Sequence, residues 1–474
     1  MHFFLHHRDL RYQDNTTMIR QMKTEGSICP LFIFTPEQIN PSQNPYFSHA
    51  VVQFMIESLK EYGQSLEKEK GQGQGQGQGQ LYYFYGHTLK VLQSIHQQVK
   101  IDSLGFNRDY SPYARKRDEE IMEWAEKEGI RMYHDEDHTL YSVIDGSTFA
   151  PSTGKPYTVY TPFMRHCQSK LKVREVDRTK HFHFQTCPQL KKNTYWIPVQ
   201  KLDSFYTKVP EIASHGGRKR ALEILKHLST FRTYDKERNY LTYETTHLSA
   251  YINFNVISIR ELYHTICSVL GKKHGLMREL IWRDFYIQIL YYFPRVVGKS
   301  FRVNMERLPW KWNSRYWKAW TEGRTGFPVV DAGMRQLNAT GFCHNRSRMI
   351  VATFLTKMLH IDWRKGEQYF AQKLIDYNVS SNNGGWQWSA STGTDSQPYF
   401  RMFHYGNQLK NYDPNAEYVK RWIPELRDVP VEHILEWEKY CEQYQHIDYP
   451  KPIVDYKKER LVTLEMFRKT IEKK

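Results

Sequence analysis

At 474 residues the chain is longer than one ordinary core, so two domains are expected. Hydrophobic residues make up 40% and charged residues 25%, the balance of a soluble globular protein; no run of about 18 apolar residues offers a membrane span. The formal charge of +16 favours a polyanionic partner, nucleic acid before membrane surface, over a basic protein with no special partner. Aromatic residues reach 15%, with 12 Trp, 33 Tyr and 25 Phe, enough to stack on bases, surround a flat cofactor or simply fill cores. The six cysteines, at 29, 167, 187, 267, 343 and 441, form no CxxC pair, which argues against a zinc site and for a reducing, intracellular compartment. The opening MHFFLHHRDLR has too short an apolar run for a secretory leader.

The first 135 residues alternate short apolar runs with helical periods. The runs are His2–Leu5, Cys29–Thr35, Leu81–Tyr85, Ile101–Phe106 and Ile130–His134, and helical patterns lie near 16–24, 47–67, 87–98 and 112–128. This alternation predicts an α/β domain with a doubly wound parallel sheet, a fold that takes ligands at the carboxyl ends of its strands. Neither GxGxxG nor GxxxxGK[ST] is present. Residues 71–80 read GQGQGQGQGQ, have no apolar face, and are expected to form a disordered loop with no function of its own. From 136 to 215 the pattern is irregular and rich in Lys, His and Thr, with Pro at 151, 156, 162, 188, 198 and 210, as in an inter-domain linker that wraps the surface. From Gly216 to the end, helical periods near 217–229, 258–272, 275–290, 328–340, 344–359 and 364–375 predict a larger, mainly α-helical domain, which holds 10 of the 12 Trp.

Four constellations could carry chemistry. In RELIWRDFY, Glu279, Trp282 and Arg283 share a helix face; the acid suits a base edge, the indole stacking, and the guanidinium a phosphate. A partly buried ion pair beside a core Trp is the competing reading. In HNRSRMIVATFL, Asn345 and Met349 share a face while Arg346 and Arg348 point elsewhere, so one Arg could reach DNA and the other pair with an acid; a solvated basic helix start would look the same. The third runs Asp376-Tyr377-Asn378, then Ser381-Asn382-Asn383-Gly384-Gly385-Trp386-Gln387-Trp388. Its amides suit a heteroaromatic ring and its paired glycines a close ligand, against a chance turn. The fourth, Thr245-Thr246-His247-Leu248-Ser249, could cradle phosphate or merely cap a helix.

Taken together and in this order, these segments resemble the photolyase/cryptochrome family, most closely dimer photolyases of the bacterial type. The similarity covers nearly the whole chain. It includes Asp9-Leu10-Arg11 with Asp14-Asn15, NRDYSPYARKRD (107–118), GKPYTVYTPF (154–163), GRTGFPVVDAGMRQL (323–337), HNRSRM, IDWRKGEQYF (361–370) and NNGGWQW. The resemblance implies an N-terminal α/β domain joined by a long linker to a helical domain that holds FAD. It also implies light-driven electron transfer from reduced FAD to a pyrimidine dimer flipped out of DNA.

By that resemblance, Tyr234 and the stretch Thr245, Thr246, His247, Leu248 and Ser249 hold the FAD phosphates. Asp376, Tyr377 and Asn378 lie near ribose and flavin, Arg348 pairs with Asp376, and Asn382 sits by flavin N5. Glu279 contacts the dimer's bases, and Trp282 and Trp388 pack against it. Asn345, Arg346 and Met349 supply further contacts, while Arg238 and Gln408 meet the DNA backbone. Trp310, Trp363 and Trp386 form a chain that photoreduces the flavin. Members of the family carry a folate, a deazaflavin, a flavin or nothing as a second, light-harvesting chromophore. Those that repair 6-4 photoproducts have two histidines where Asn345 and Met349 stand here, which argues against that substrate. A cryptochrome-type blue-light photoreceptor without repair activity is the alternative; a non-enzymatic DNA-binding protein does not explain NNGGWQW. Four positions depart from the family pattern: His6-His7 for Phe-Arg, Thr246 for Ser in the phosphate motif, and Asn378 for a second acid. A soluble monomer is expected.

Overall fold

A computed structural model of the chain describes residues 1–69 and 79–472; the expectation for the Gly-Gln repeat therefore falls, from 71 to 78, outside the described residues. The chain divides into two compact units. The first comprises Met1–Lys208, Ser214–Thr230 and Thr246–Pro294; the second comprises Val209–Ala213, Phe231–Thr245 and Arg295–Lys474.

The first unit is built on a sheet of six strands. Five run parallel: β1 (His2–His6), β2 (Cys29–Phe34), β3 (Tyr82–Tyr85), β4 (Ser103–Asn107) and β5 (Arg131–Asp135). Their order is β5-β4-β1-β2-β3, the doubly wound arrangement expected. All six residues of β2, CPLFIF, are buried, because helices cover both faces of the sheet and leave no polar side to alternate toward. The helices Thr16–Glu25, His49–Lys68 and Pro112–Lys127 each start where a side chain accepts from an otherwise orphaned amide: Asn15 from Met18 N, Ser48 from Val51 N, and Ser111 from Ala114 N. The stretch 136–215 is less irregular than its sequence suggests. It forms the small hairpin β6 (Phe149–Ala150) and β7 (Lys155–Pro156), the helix Tyr160–Lys170, and β8 (Trp196–Ile197), which pairs antiparallel with β3 at the sheet edge.

The motif Asp9-Leu10-Arg11 with Asp14-Asn15 has a structural role at the switch point between β1 and β4. Asn107 Nδ2 donates to Asp9 Oδ2 at 2.6 Å and to Asn15 Oδ1 at 2.8 Å. Arg11 meets Asp137 at 2.6 Å, and Arg260 meets both Asp137 at 2.7 Å and Asp14 at 2.8 Å. Burial alone would raise the Asp137 carboxyl, but Arg11 and Arg260 hold it well below the usual carboxylate range. The crevice that would take a nucleotide in other doubly wound sheets is thus filled by a buried ion network. His6 joins it: Nδ1 donates to the Asp9 carbonyl at 2.9 Å, so Nε2 accepts from the Tyr62 hydroxyl at 2.9 Å.

The second unit is helical. The helices Pro328–Thr340, Asn345–Lys357, Trp363–Lys373 and Val379–Ser389 pack around Trp320, Met334, Phe354, Leu355, Trp363 and Trp386. In GRTGFPVVD, buried Asp331 accepts from Thr325 N at 2.8 Å, Thr325 Oγ1 at 2.7 Å, Gly326 N at 2.9 Å and Tyr449 Oη at 2.5 Å. Gly326 has φ 76°, and a Cβ there would lie 2.3 Å from the Lys451 backbone, so only glycine serves. Among the described residues no helix is long and apolar enough to cross a membrane.

Candidate active site

In the first unit, Glu279, Trp282 and Arg283 ride on the helix Gly275–Tyr292. Glu279 is half-buried. The Trp282 indole stacks flat on the Tyr160 ring, with centroids 3.6 Å apart and planes 5° apart, so its orientation is set before any ligand arrives. Arg283 turns inward and does not extend toward a phosphate. Its guanidinium donates to the His138 carbonyl at 2.5 Å and sits 3.6 Å from Asp284, and burial lowers its pKa. Asp284, which the sequence did not single out, accepts from Leu140 N at 2.8 Å and Tyr141 N at 3.3 Å, and burial raises its carboxyl to about 7. Residues 246–248 form a loop before the five-residue helix Ser249–Asn253. The Thr246 hydroxyl accepts from Leu248 N at 3.4 Å, and His247 adopts a left-handed φ of 52°. Thr245, next in chain, belongs to the second unit.

A cavity of about 280 Å³ opens at the carboxyl end of β3, lined by Ile39, Phe47, His49, Tyr85, Phe205 and Tyr206 among others. It lies away from the filled switch point and is largely aromatic.

In the second unit, Tyr234 is buried at the start of a short helix, with the Arg238 guanidinium over its ring at 5.7 Å. The helix Asn345–Lys357 brings the predicted Asn345 and Met349 together, Nδ2 to Sδ at 3.9 Å, with Asn345 exposed. Arg346 donates to Asn239 Oδ1 at 2.6 Å and lies over the Tyr412 ring at 4.4 Å. Arg348 makes the expected pair, meeting both oxygens of Asp376 at 3.1 and 2.9 Å while its Nε donates to the Cys343 carbonyl at 2.7 Å. Gln408 is half-buried on the helix Tyr405–Tyr412.

NNGGWQW lies within a helix, Val379–Ser389, and not in a turn. Asn378 is its N-cap, accepting from Ser380 N at 3.1 Å and Ser381 N at 3.3 Å. Asn and Asp cap equally well, so the departure from an acid leaves the helix start intact. The two asparagines divide their labour. Asn383 and Gln387 form a latch: Gln387 Nε2 donates to Asn383 Oδ1 at 2.9 Å, Asn383 Nδ2 donates to the Val296 carbonyl at 2.9 Å, and Gln387 Oε1 accepts from Phe301 N at 2.8 Å. Asn382 is also buried, but it spends only Nδ2, on the Glu367 carbonyl at 2.9 Å. Its Oδ1 has no partner among the described residues. Two adjacent glycines inside a helix cost about 1 kcal/mol each relative to alanine, and a Cβ on Gly385 would meet nothing. Packing within the chain therefore does not call for glycine at 385, which is exposed.

Trp386 and Trp363 are buried in the core, and Trp310 is half-buried. The Trp386 ring enters a space left by Gly366, where a Cβ would be 2.1 Å from its Cη2. Trp388 is half-buried. Glu367 is 5% exposed, and burial pushes its carboxyl up to about 7 despite opposing contributions from Asn383 and Arg364. An open amide atom and a paired Arg–Asp within one unit fit a polar, planar cofactor such as a flavin nucleotide.

Comparison with known proteins agrees. Residues 3–182 match the family model for DNA photolyase, and residues 276–469 that for the FAD binding domain of DNA photolyase. The chain is 32% identical to the deoxyribodipyrimidine photo-lyase of Halobacterium salinarum over 99% of both chains, and 30% identical to that of Escherichia coli over 98% of this chain and 97% of the other. Among solved structures it resembles an archaeal photolyase from Sulfolobus tokodaii containing two FAD molecules, with TM-score 0.86, 36% identity and coverage of 98% of this chain and 99% of the other. It also resembles a class III photolyase from Agrobacterium tumefaciens, with TM-score 0.87, 27% identity and coverage of 99% and 98%. The chain belongs to the DNA photolyase family.

Proposed function

We propose that this protein is a deoxyribodipyrimidine photo-lyase: with FAD bound and blue light absorbed, it splits cyclobutane pyrimidine dimers in DNA. The observation that carries the reading is the match over nearly the full chain to proteins of that name. Asn345 and Met349 support the dimer as substrate, because no histidine stands at either position to move protons in 6-4 repair.

Residues 216–474 serve as the FAD-binding and catalytic part, residues 1–135 as an antenna-type domain, and 136–215 as the connection between them. FAD, when bound, would supply the light-driven electron chemistry of ring opening, with no net redox change. The chain's residues bind and orient. Arg348 and Asp376 hold the ribose side with Tyr377 and Asn378, and the open Asn382 Oδ1 receives a donor on the flavin ring edge. Tyr234 and the Thr245–Ser249 stretch take phosphate through hydroxyls and backbone amides. Trp282, pre-stacked on Tyr160, presents a flat apolar face to a flipped dimer, and Glu279, three residues earlier on the same helix, accepts from its bases. Trp388 offers a second apolar face, and Asn345, Arg346 and Met349 further contacts. Arg238 and Gln408 meet the DNA backbone, while Arg283 braces the helix from inside through His138. The aromatic side chains that line the cavity beside β3, Phe47, Tyr85, Phe205 and Tyr206, support a second, light-harvesting chromophore there. The enzyme works as a monomer.

Glu279→Ala tests the assignment. Losing a charge-assisted hydrogen bond of about 1.5–3 kcal/mol slows repair about tenfold or more. The purified variant stays yellow with bound FAD. A colourless variant, or one that repairs at the parental rate, contradicts the role given to this helix face.

A further inference from the structure

Residues 299–318 carry six Lys and Arg against one acid, Glu306, and that acid is spent on Arg364. Trp312 stands within this basic segment. Its ring is 59% exposed, and it rests against Trp317, with centroids 5.7 Å apart and planes at 41°. Trp317 is itself packed on the core, so the exposed indole is held from beneath. The Lys365 ammonium lies over the same ring, 5.9 Å from its centroid. Of the nearby acids, Asp362 meets Arg364 at 3.0 Å and Glu322 is 3.9 Å from Lys318. Lys311, Arg315 and Lys365 are exposed and have no carboxylate partner among the described residues, so their charge is open to an anion. A lone surface tryptophan needs no explanation, but an indole propped outward among unpaired cations combines a stacking face with phosphate binders.

We infer that Trp312, with Lys311, Arg315 and Lys365, forms a contact for single-stranded nucleic acid that is separate from the dimer site: the indole stacks on an unpaired base and the three cations meet phosphates around it. The separation follows from the fold. Lys311 N donates to the His360 carbonyl at 2.8 Å, just past the C-terminal end of the helix Asn345–Lys357, whereas Asn345 and Met349 occupy that helix's first two turns. At 1.5 Å per residue the helix sets the two places about 18 Å apart. A duplex hides its base faces in the stack, so an exposed ring favours a single strand. One indole among cations, without the wide apolar face that an interfacial helix buries, favours a base over a lipid surface. The shared chemistry is a polynucleotide with unpaired bases, DNA or RNA. No damage is read here. The contact prolongs the protein's stay on an unpaired strand, and it acts in darkness.

The test uses FAD-loaded protein in darkness and labelled, undamaged oligomers, a short oligo-dT, a short oligo-rU and a duplex of the same length, followed by fluorescence anisotropy. Trp312→Ala weakens binding of the single strands about tenfold and of the duplex little, while Trp312→Phe keeps most of the affinity. Lys311→Ala, Arg315→Ala and Lys365→Ala together lower the slope of log affinity against log salt by about 2. Tighter binding of oligo-rU assigns the natural strand to RNA and tighter binding of oligo-dT assigns it to DNA; either supports the contact. An oligomer carrying 5-iodouracil, crosslinked under long-wavelength ultraviolet light, marks Trp312 by peptide mass spectrometry. Trp312→Ala keeps its FAD and repairs a saturating dimer substrate at the parental rate. The inference is overturned if the crosslink marks only Trp282 or Trp388, or if Trp312→Ala binds the single strands as the parent does. It is equally overturned if that variant loses duplex binding or dimer repair in proportion, or if vesicles of anionic phospholipid, and not the oligomers, depend on Trp312.

Discussion

At the scale of single residues, function and structure separate within one motif. Asn382 and Asn383 are neighbours of identical chemistry, yet Asn383 is consumed by the Gln387 latch while Asn382 keeps one amide atom open. Glu367 offers a pH test of this neighbourhood. Its carboxyl titrates near 7 folded against 4.5 ordinarily, so the folded state holds a proton that the unfolded state has lost, and stability falls as pH rises between those values. Above that window the burial penalty is at most about 3 kcal/mol, so Glu367→Gln gains stability at about pH 8 and nothing at about pH 4. Thermal unfolding at the two pH values checks this; an equal shift at both would contradict it. Helical spacing revealed Asn345 with Met349, and the family resemblance revealed Arg348 with Asp376. Neither revealed Glu367, Asp284 or Tyr160, whose roles come from burial and from partners more than 100 residues away for Asp284 and Tyr160.

At the scale of elements, the helices near the site are shaped around one ring. Gly366 exists to admit Trp386, so Gly366→Ala overpacks the core and costs about 1–3 kcal/mol. Chemical denaturation measures that loss, and an unchanged midpoint would mean the ring has room to spare. Asn378 acts through its cap: Asn378→Ala costs about 1 kcal/mol, whereas Asn378→Asp leaves stability unchanged by the same measurement. The five parallel strands and the helices that the sequence predicted lie within about three residues of those observed, whereas the helices Ser314–Glu322, Tyr405–Tyr412 and Tyr456–Glu472 were not predicted. Nor were the helix Tyr160–Lys170 and β8, because Pro, Lys and Thr in 136–215 hide short elements that exist only by packing on the sheet. The paired glycines suggested a close ligand or a chance turn, and no helix was predicted there. The structure has the helix Val379–Ser389, started by the Asn378 cap.

At the scale of the whole molecule, the doubly wound order was predictable, but the filling of its switch point was not. The acids and arginines that plug it come from the segment after β1, from the segment after β5, and from Arg260 far along the chain. Removing one member leaves a buried charge unpaired, so Asp137→Asn destabilises by about 3–5 kcal/mol. The net charge of +16 makes DNA affinity salt-sensitive, falling at least about tenfold between about 50 and 200 mM salt in a filter-binding or anisotropy titration. A flat salt response would mean the charge is spread without regard to DNA. The measurement that bears most directly on the central claim uses two short DNA substrates, one with a thymine cyclobutane dimer and one with a 6-4 photoproduct. Each is incubated with reduced protein in blue light and in darkness. Light-dependent restoration of the cyclobutane dimer alone is the expected result. Repair of neither, with reduced FAD bound, would contradict the enzyme and favour a cryptochrome-type photoreceptor.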